Sequence, residues 1–172
     1  RSLKKTNKIL EKSKLSDLFP KIDIKKNNFI SYKFIPGQTL YENNNKDIMN
    51  NLLNILQKKF WKNKNIDIKK NCKLFYYQKT KDRISMFFSK YKIKKDNKKL
   101  INNLKVDSVE KLISKVPWNQ LYSGSSSKIH GDLQFDNIIF DKKNSQFKLI
   151  DFREDFGGNI KVGDIYYDLA KL

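Results

Sequence analysis

Two neighbouring stretches, HGDLQFDNIIF (residues 130–140) and LIDF (residues 149–152), decide how this sequence is interpreted. They place Asn137 five residues after Asp132, and Asp151 fourteen residues after Asn137. The two apolar runs and the polar turn between them predict a β-hairpin, with polar side chains before and directly after it. This spacing is typical of a phosphoryl-transfer site, in which one Asp orients and deprotonates a hydroxyl while an Asn and a second Asp hold magnesium.

Each of the three side chains suits its predicted role. Asp132 lies in the loop before the hairpin, where a carboxylate can accept the proton of an attacking hydroxyl. Asn137 offers an amide oxygen and Asp151 a carboxylate, and magnesium prefers such oxygen ligands beside phosphate oxygens. The alternative is that all three are turn residues that cap the ends of a hairpin. The strand-turn-strand context favours the phosphoryl-transfer interpretation.

Other polar residues near this stretch have weaker patterns. His130 is the only histidine of the chain, and no Ser or Cys nucleophile motif surrounds it, so we expect it to brace the loop. Asp136 is interpreted as a turn residue. Lys79 and Arg83 lie four apart on one predicted helix face, where they could bind an anionic substrate, although a solvated face is the favoured interpretation.

The net charge of +19 raises the question of a nucleic-acid partner, because Lys and Arg neutralise phosphates. The Lys residues are spread over the whole chain, however, and Arg occurs only at Arg1, Arg83 and Arg153. This distribution indicates a solvated basic surface and argues against nucleic acid as the partner.

Cysteine content and hydropathy narrow the class of protein further. Cys72 is the only cysteine, so neither a disulfide framework nor a thiolate metal site is expected. No apolar run is long enough to span a membrane or to form the core of a signal peptide. We therefore expect a cytoplasmic protein.

Hydrophobic periodicity predicts a mixed α+β fold rather than the regular alternation of a doubly wound sheet. One predicted helix begins with a capping box, in which Asp107 is the cap and Glu110 follows three positions later. The predicted helices cover residues 1–18, 45–62, 74–91, 107–115 and 165–170, and the predicted hairpins cover residues 21–35 and 137–150.

With these motifs in view, the sequence resembles the aminoglycoside phosphotransferase and choline kinase-like family of small-molecule kinases, which are relatives of protein kinases. Residues 130–137, which we call the catalytic loop, match the loop that carries that family's base, here Asp132. Residues 150–152 match its metal-binding strand end. The stretch GDIYYDLA, residues 163–170, matches the helix motif whose Asp, here Asp168, supports the catalytic loop, as His130 is also expected to do.

The resemblance also implies the positions of the nucleotide and of the two lobes. Residues 32–40, YKFIPGQTL, are similar to the hinge of the kinase fold, whose backbone at Lys33, Phe34 and Ile35 would contact the adenine of ATP. Residues 1–36 would then be a partial N-terminal lobe, a helix plus two strands that leads into the hinge. Residues 37–172 would be the helical C-terminal lobe with the catalytic loop and metal-binding hairpin, its last helices cut off.

Two elements of that family are not evident in this sequence. No glycine precedes Gly37, so a Gly-rich loop over the phosphates is missing, and so is the strand Lys that pairs with them. We expect both to lie upstream of Arg1 in a longer protein, which makes this a truncated chain. The alternative is a catalytically incompetent kinase-like module that binds nucleic acid or a protein partner through its basic surface.

The resemblance implies an ATP- and Mg2+-dependent phosphotransferase acting on a hydroxyl of a small molecule. The acceptor would be a sugar or a choline-like precursor of bacterial surface glycans. The region expected to face the acceptor, residues 58–122, is rich in Lys and poor in acids, which favours a neutral or anionic acceptor such as a sugar.

Overall fold

A mixture of helices and small antiparallel sheets makes up the fold, which confirms the α+β prediction. The computed structural model describes residues 17–20, 22–26, 29–43, 45–93 and 99–172. The helix predicted over residues 1–18 therefore falls almost wholly outside the described residues. None of the helices in these ranges has the length and apolar character needed to cross a membrane.

The helices are numbered in chain order. They are α1 (Lys46–Ile55), α2 (Lys69–Cys72), α3 (Lys79–Lys90), α4 (Val109–Ser114), α5 (Trp118–Tyr122) and α6 (Ile165–Leu169). Wider π-helical turns extend α1 over Leu56–Phe60 and join α2 to α3 over Lys73–Gln78, and a single 3-10 turn covers Phe135–Asn137.

The strands are short and pair in antiparallel fashion. They are β1 (Ile22–Lys26), β2 (Phe29–Tyr32), β3 (Gln38–Thr39), β4 (Lys99–Ile101), β5 (Leu104–Val106), β6 (Ser126–Ser127), β7 (Ile138–Asp141), β8 (Gln146–Leu149) and β9 (Gly163–Asp164). The sheets are the hairpins β1-β2 and β4-β5, the pair β6-β9 and the three-stranded sheet β3-β7-β8.

The three-stranded sheet joins the predicted hinge to the predicted metal-binding hairpin. Strand β3 follows residues 33–35 closely and pairs with β7, Gln38 opposite Phe140. Gly37, at φ +139, permits this approach, because a Cβ atom there would lie 2.6 Å from the Phe140 carbonyl oxygen. The predicted hairpin is observed as the pair β7-β8, in which Ile138 lies opposite Leu149.

The core divides into two clusters that support the two ends of the site. The first packs buried residues of α1 and its π-helical extension against the β3-β7-β8 sheet and Leu133 of the catalytic loop. The second packs Ile68, Cys72 and Phe75 against Phe156 and Val162. Ile68, Cys72 and Phe75 follow an i, i+4, i+7 pattern, so one helical stripe holds the segment after Asp151 in place.

Some local predictions were wrong, each for a physical reason. The helix predicted from residue 74 begins at Lys69, where the Asp67 side chain accepts the Lys69 N–H at 2.8 Å. The β4-β5 hairpin was not predicted, although its turn residues Asn102 and Asn103, both at positive φ, are the type that favours a tight hairpin turn.

The prediction of a capping box that begins at Asp107 was also wrong. The helix cap is Ser108, whose side chain accepts the Lys111 N–H at 3.3 Å. The Asp107 carboxylate instead forms ion pairs with Lys111 at 3.2 Å and Lys115 at 2.6 Å. The helix therefore begins one residue later than predicted, and the Asp107 carboxylate is engaged by two cations of the same region.

The tight approach of Gly37 to β7 leads to a stability prediction with a matched control. Gly37→Ala should lower the free energy of unfolding by about 2–4 kcal/mol, because the new Cβ clashes with backbone and also meets an unfavourable φ. Gly158→Ala should cost only about 1–2 kcal/mol, because Gly158 also has a positive φ, +83, but no atom of the described residues lies within 4 Å of an added Cβ. Urea unfolding of both variants measures the difference, and equal losses would contradict the role given to the Gly37–β7 contact.

Candidate active site

The catalytic loop is anchored by a buried carboxylate. Asp168, on α6, accepts hydrogen bonds from the backbone N–H groups of His130 at 2.8 Å and Gly131 at 2.7 Å. It also accepts one from the indole N–H of Trp61 at 3.1 Å. Burial raises the pKa of Asp168 to about 6, while these three donors lower it. The three hydrogen bonds tie the start of the loop to α6.

A second polar anchor, missed in the sequence, holds the start of α6. The buried Asp164 carboxylate accepts hydrogen bonds from the Tyr76 hydroxyl at 2.8 Å and from the backbone N–H groups of Ser125 and Tyr166 at 3.0 and 3.2 Å. Asp164 is thus the N-cap of α6 and connects this helix to the π-helical turn that carries Tyr76. An Asp directly before an apolar helical run was the available signal.

His130 lies in the interior beneath the loop. Its ring is fully buried and stacks on Phe19, with ring centroids 6.2 Å apart and planes 8° apart. Its Nδ1 accepts the Asp132 N–H at 3.3 Å, which orients the backbone of the proposed base. Burial lowers the pKa of His130 to about 4, while the backbone carbonyl of Ile150 raises it. Burial thus keeps the ring neutral, and Nε2 makes no hydrogen bond within the described part of the chain, so His130 is a packing residue.

Asp132, the predicted base, is half-buried and held at both its backbone and its side chain. Its carbonyl accepts a hydrogen bond from the Asn137 side-chain nitrogen at 2.8 Å. Its carboxylate forms an ion pair with Lys171, with Nζ 2.8 Å from Oδ1. This ion pair raises the pKa of Lys171. Sequence reasoning missed Lys171, because its partner lies thirty-nine residues away and no motif marks the pair.

The β7-β8 hairpin brings Asn137 and Asp151 together. The Ile150 N–H donates to the Asn137 carbonyl at 2.9 Å, so Asp151 follows a residue that is paired with Asn137. Asp151 is exposed and has φ +52, the left-handed conformation that a non-glycine residue seldom adopts. Such strained residues are concentrated at functional sites, which is consistent with a carboxylate turned out of the strand direction.

Asn137 and Asp151 fit a magnesium ion by their chemistry. Because the Asp132 carbonyl can only accept, the Asn137 amide must turn its nitrogen toward that carbonyl and its oxygen away. Magnesium is held by few protein oxygens together with water and phosphates. Among the described residues, no group of three or more His, Cys, Asp or Glu is arranged to hold a metal ion.

Arg153 locks the segment after Asp151 onto the catalytic loop. Its backbone N–H donates to the His130 carbonyl at 2.8 Å, and its Nε donates to the Gly131 carbonyl at 3.1 Å. Gly131, at φ +80, leaves the space that the Arg153 side chain fills, because a Cβ there would lie 2.6 Å from Arg153 Cβ. Arg153 therefore braces the catalytic loop.

The predicted hinge residues lie apart from the polar cluster around Asp132. Lys33, Phe34 and Ile35 form an irregular segment between β2 and β3, and Phe34 is 88% exposed. Among the described residues, no hydrogen bond joins these three to the catalytic loop, and the pairing of β3 with β7 connects the two regions. Their contact with adenine stays a prediction.

Burial of His130 gives the stability of the fold a definite dependence on pH. The folded chain keeps the ring neutral down to about pH 4, whereas the unfolded chain binds a proton below its ordinary pKa of 6.5. The stabilising contribution is therefore complete above pH 6.5 and is lost as the pH falls toward 4. The destabilisation caused by His130→Asn should shrink by roughly 2–3 kcal/mol between pH 7 and pH 4.5.

Urea unfolding of both proteins at the two pH values measures this difference. The carboxyl groups that face His130, those of Asp132, Asp151 and Asp168, are present in both proteins and cancel in the comparison. The raised pKa of Asp168 acts in the opposite direction and cancels in the same way. A destabilisation that does not change with pH would show that the ring is not buried in its neutral form.

Comparison with known proteins assigns the family. Searches of curated proteins and of solved structures gave no match. A family model described as the phosphotransferase enzyme family, APH, matches residues 28–172. The match includes the catalytic loop, the β7-β8 hairpin and the stretch that contains Asp168. Because it spans most of the sequence, the chain belongs to the phosphotransferase enzyme family, APH.

Proposed function

We propose that this protein transfers the terminal phosphoryl group of ATP to a hydroxyl of a small molecule, with Asp132 as the base and Asn137 and Asp151 as the magnesium ligands. One observation carries the proposal: at the end of the β7-β8 hairpin, Ile150, the residue before Asp151, is hydrogen-bonded to the Asn137 carbonyl, while the Asn137 amide is hydrogen-bonded to the Asp132 carbonyl. The base and the metal ligands thus belong to one rigid unit.

The geometry supports a mechanism based on positioning. The acceptor hydroxyl attacks the terminal phosphorus as the bond to ADP breaks, and its proton passes to the Asp132 carboxylate. Because the transition state is loose, little basicity is required, and holding the hydroxyl in line is the main task. Lys171 binds Oδ1 of the Asp132 carboxylate, and we propose that Oδ2 accepts the proton of the acceptor hydroxyl.

Magnesium, when bound, neutralises the charge that develops on the phosphate oxygens. The protein's own contribution is to present the two oxygen ligands at a fixed separation. Asn137 is buried and its amide is oriented by the Asp132 carbonyl, so that ligand needs no rearrangement. Asp151 is exposed, in a backbone conformation that directs it away from the strand.

The fold-level part of the proposal follows from the family. We assign residues 1–36 to a partial N-terminal lobe and hinge and residues 37–172 to a helical C-terminal lobe of the protein-kinase-like fold. The backbone of Lys33, Phe34 and Ile35 would contact adenine, and His130 and Asp168 would support the catalytic loop. A sugar or a choline-like precursor of bacterial surface glycans is the acceptor that the resemblance suggests.

Substitution of the base tests the proposal. Asp132→Asn keeps the size of the side chain but cannot accept the proton, so turnover should fall by about 10²–10⁴-fold while ATP binding persists. Asp136→Asn, an exposed change in the same loop, is the matched control and should leave turnover unchanged. ADP release measures turnover and calorimetry measures ATP binding. If the full-length wild-type protein shows no ADP release with any acceptor and binds RNA with a steep salt dependence, the non-catalytic alternative is favoured.

Substitution of the metal ligand gives an independent test. Asp151→Asn replaces a carboxylate oxygen with a weaker neutral ligand, so ATP affinity measured with Mg2+ should fall by about tenfold or more. ATP affinity measured in excess chelator should be the same for the variant and the wild type. Equal affinities in the presence of Mg2+ would remove Asp151 from the metal site.

A further inference from the structure

Three cationic side chains converge on one pair of aromatic rings beside Asp132. The Lys79 Nζ lies 4.2 Å and the Arg153 Cζ 5.3 Å from the centre of the Phe75 ring. The Lys171 Nζ, which binds Asp132, lies 6.0 Å from the centre of the Tyr167 ring, and the two ring centres are 4.8 Å apart. We call Lys79, Arg153 and Lys171 the cation cluster.

The positive charge of the cluster is only partly balanced. The ion pairs formed among the described residues include Lys171 but neither Lys79 nor Arg153. Burial lowers the pKa of Lys79, and the nearby cations Arg153, Arg83 and Lys171 lower it further, while Asp155 opposes them. Like charges held this close repel one another, so a bound anion would stabilise the cluster.

The cluster is also held in place and open to a ligand. Arg153 is fixed to the catalytic loop by two hydrogen bonds to backbone carbonyls. The ring of Phe75, over which Lys79 and Arg153 lie, is itself buried and stacks on Phe156, with ring centres 4.3 Å apart. Each member of the cluster remains partly exposed. A pre-arranged set of cations of this kind suits recognition of phosphate or carboxylate.

We propose that the cation cluster binds an anionic group, phosphate or carboxylate, carried by the acceptor molecule, and thereby places the acceptor hydroxyl at Asp132. This inference rests on the proposed function, since it assumes that Asp132 faces the acceptor. It narrows the acceptor class, because a quaternary amine such as choline, or a polycationic amino sugar, would be repelled by the cluster. A sugar phosphate or a sugar acid fits the charge.

Binding of defined probes tests the proposal without requiring turnover. Inorganic phosphate and the matched set glucose 6-phosphate, glucose and glucosamine are titrated by calorimetry into wild type, Lys79→Met and Lys79→Arg. Lys90→Met is the control, because Lys90 ends the same helix and lies 5.7 Å from the Tyr91 ring centre, yet takes no part in the cluster.

The proposal predicts that wild type binds phosphate and glucose 6-phosphate, and binds glucose and glucosamine at least tenfold more weakly. Lys79→Met should weaken binding of both anions by about tenfold, the loss of one charge-assisted contact, with restoration in Lys79→Arg and no change in Lys90→Met. Equal binding of the three sugars, failure to bind phosphate, or a Lys79→Met variant that binds like wild type would overturn it.

Two further measurements distinguish this proposal from binding of the nucleotide's phosphates and from failure of the proposed function. If Lys79→Met weakens ATP binding in Mg2+ as much as phosphate binding, the anion is the nucleotide's own phosphate and the acceptor assignment is overturned. Asp132→Asn should retain phosphate binding, because the cluster remains positive without that carboxylate. Lys79-dependent phosphate binding in a protein that releases no ADP with any acceptor would support the anion site while the proposed function fails.

Discussion

The buried carboxylate of Asp168 is the constraint on which the rest of the site depends. Removing a carboxylate from water is costly, and the chain offsets that cost with two consecutive backbone N–H groups of the catalytic loop and the indole N–H of Trp61. The loop therefore has its observed conformation only while α6 is docked. That docking depends in turn on Asp164, which caps α6 and binds the Tyr76 hydroxyl. The position of Asp132 thus follows from two buried acids that take no part in chemistry.

The positions of Asn137 and Asp151, the candidate metal ligands, depend on backbone pairing and not on a buried charge. A β-ladder fixes the separation of opposite residues, so Asn137 and Ile150, at the ends of β7 and β8, hold Asp151 at a defined distance from the catalytic loop. Because β3 pairs with the outer side of β7, the same sheet also carries the chain from the predicted hinge to this point. Gly37 is the residue that permits the close approach. One small sheet thereby relates the proposed nucleotide region to the proposed metal ligands.

Prediction from the sequence succeeded where the determinants are local. The β7-β8 hairpin and the helix over residues 46–60 follow from alternation and periodicity within a few residues. It failed where two adjacent residues could both cap a helix, as at Asp107 and Ser108, since Ser108 is the cap and Asp107 forms ion pairs with two lysines. The Asp132–Lys171 ion pair has no local signal at all, because it arises from the docking of α6. Family motifs located the candidate base and ligands, but they carry no information on the cations around them.

The overall charge of +19 does not explain the cation cluster. Lys side chains on an open surface are solvated and repel one another weakly, whereas two cations near one buried ring interact through a medium of lower dielectric. Like charges that approach one buried ring to within 4.2 and 5.3 Å of its centre therefore repel more strongly than they would in open solvent. Lys79 could avoid that repulsion by extending into water, yet its charge lies over the ring that Arg153 also approaches. Arg153 cannot move away, because the catalytic loop holds its Nε. The aromatic rings and Asp155 offset part of the repulsion between these cations, and a negative group bound between them would offset more of it.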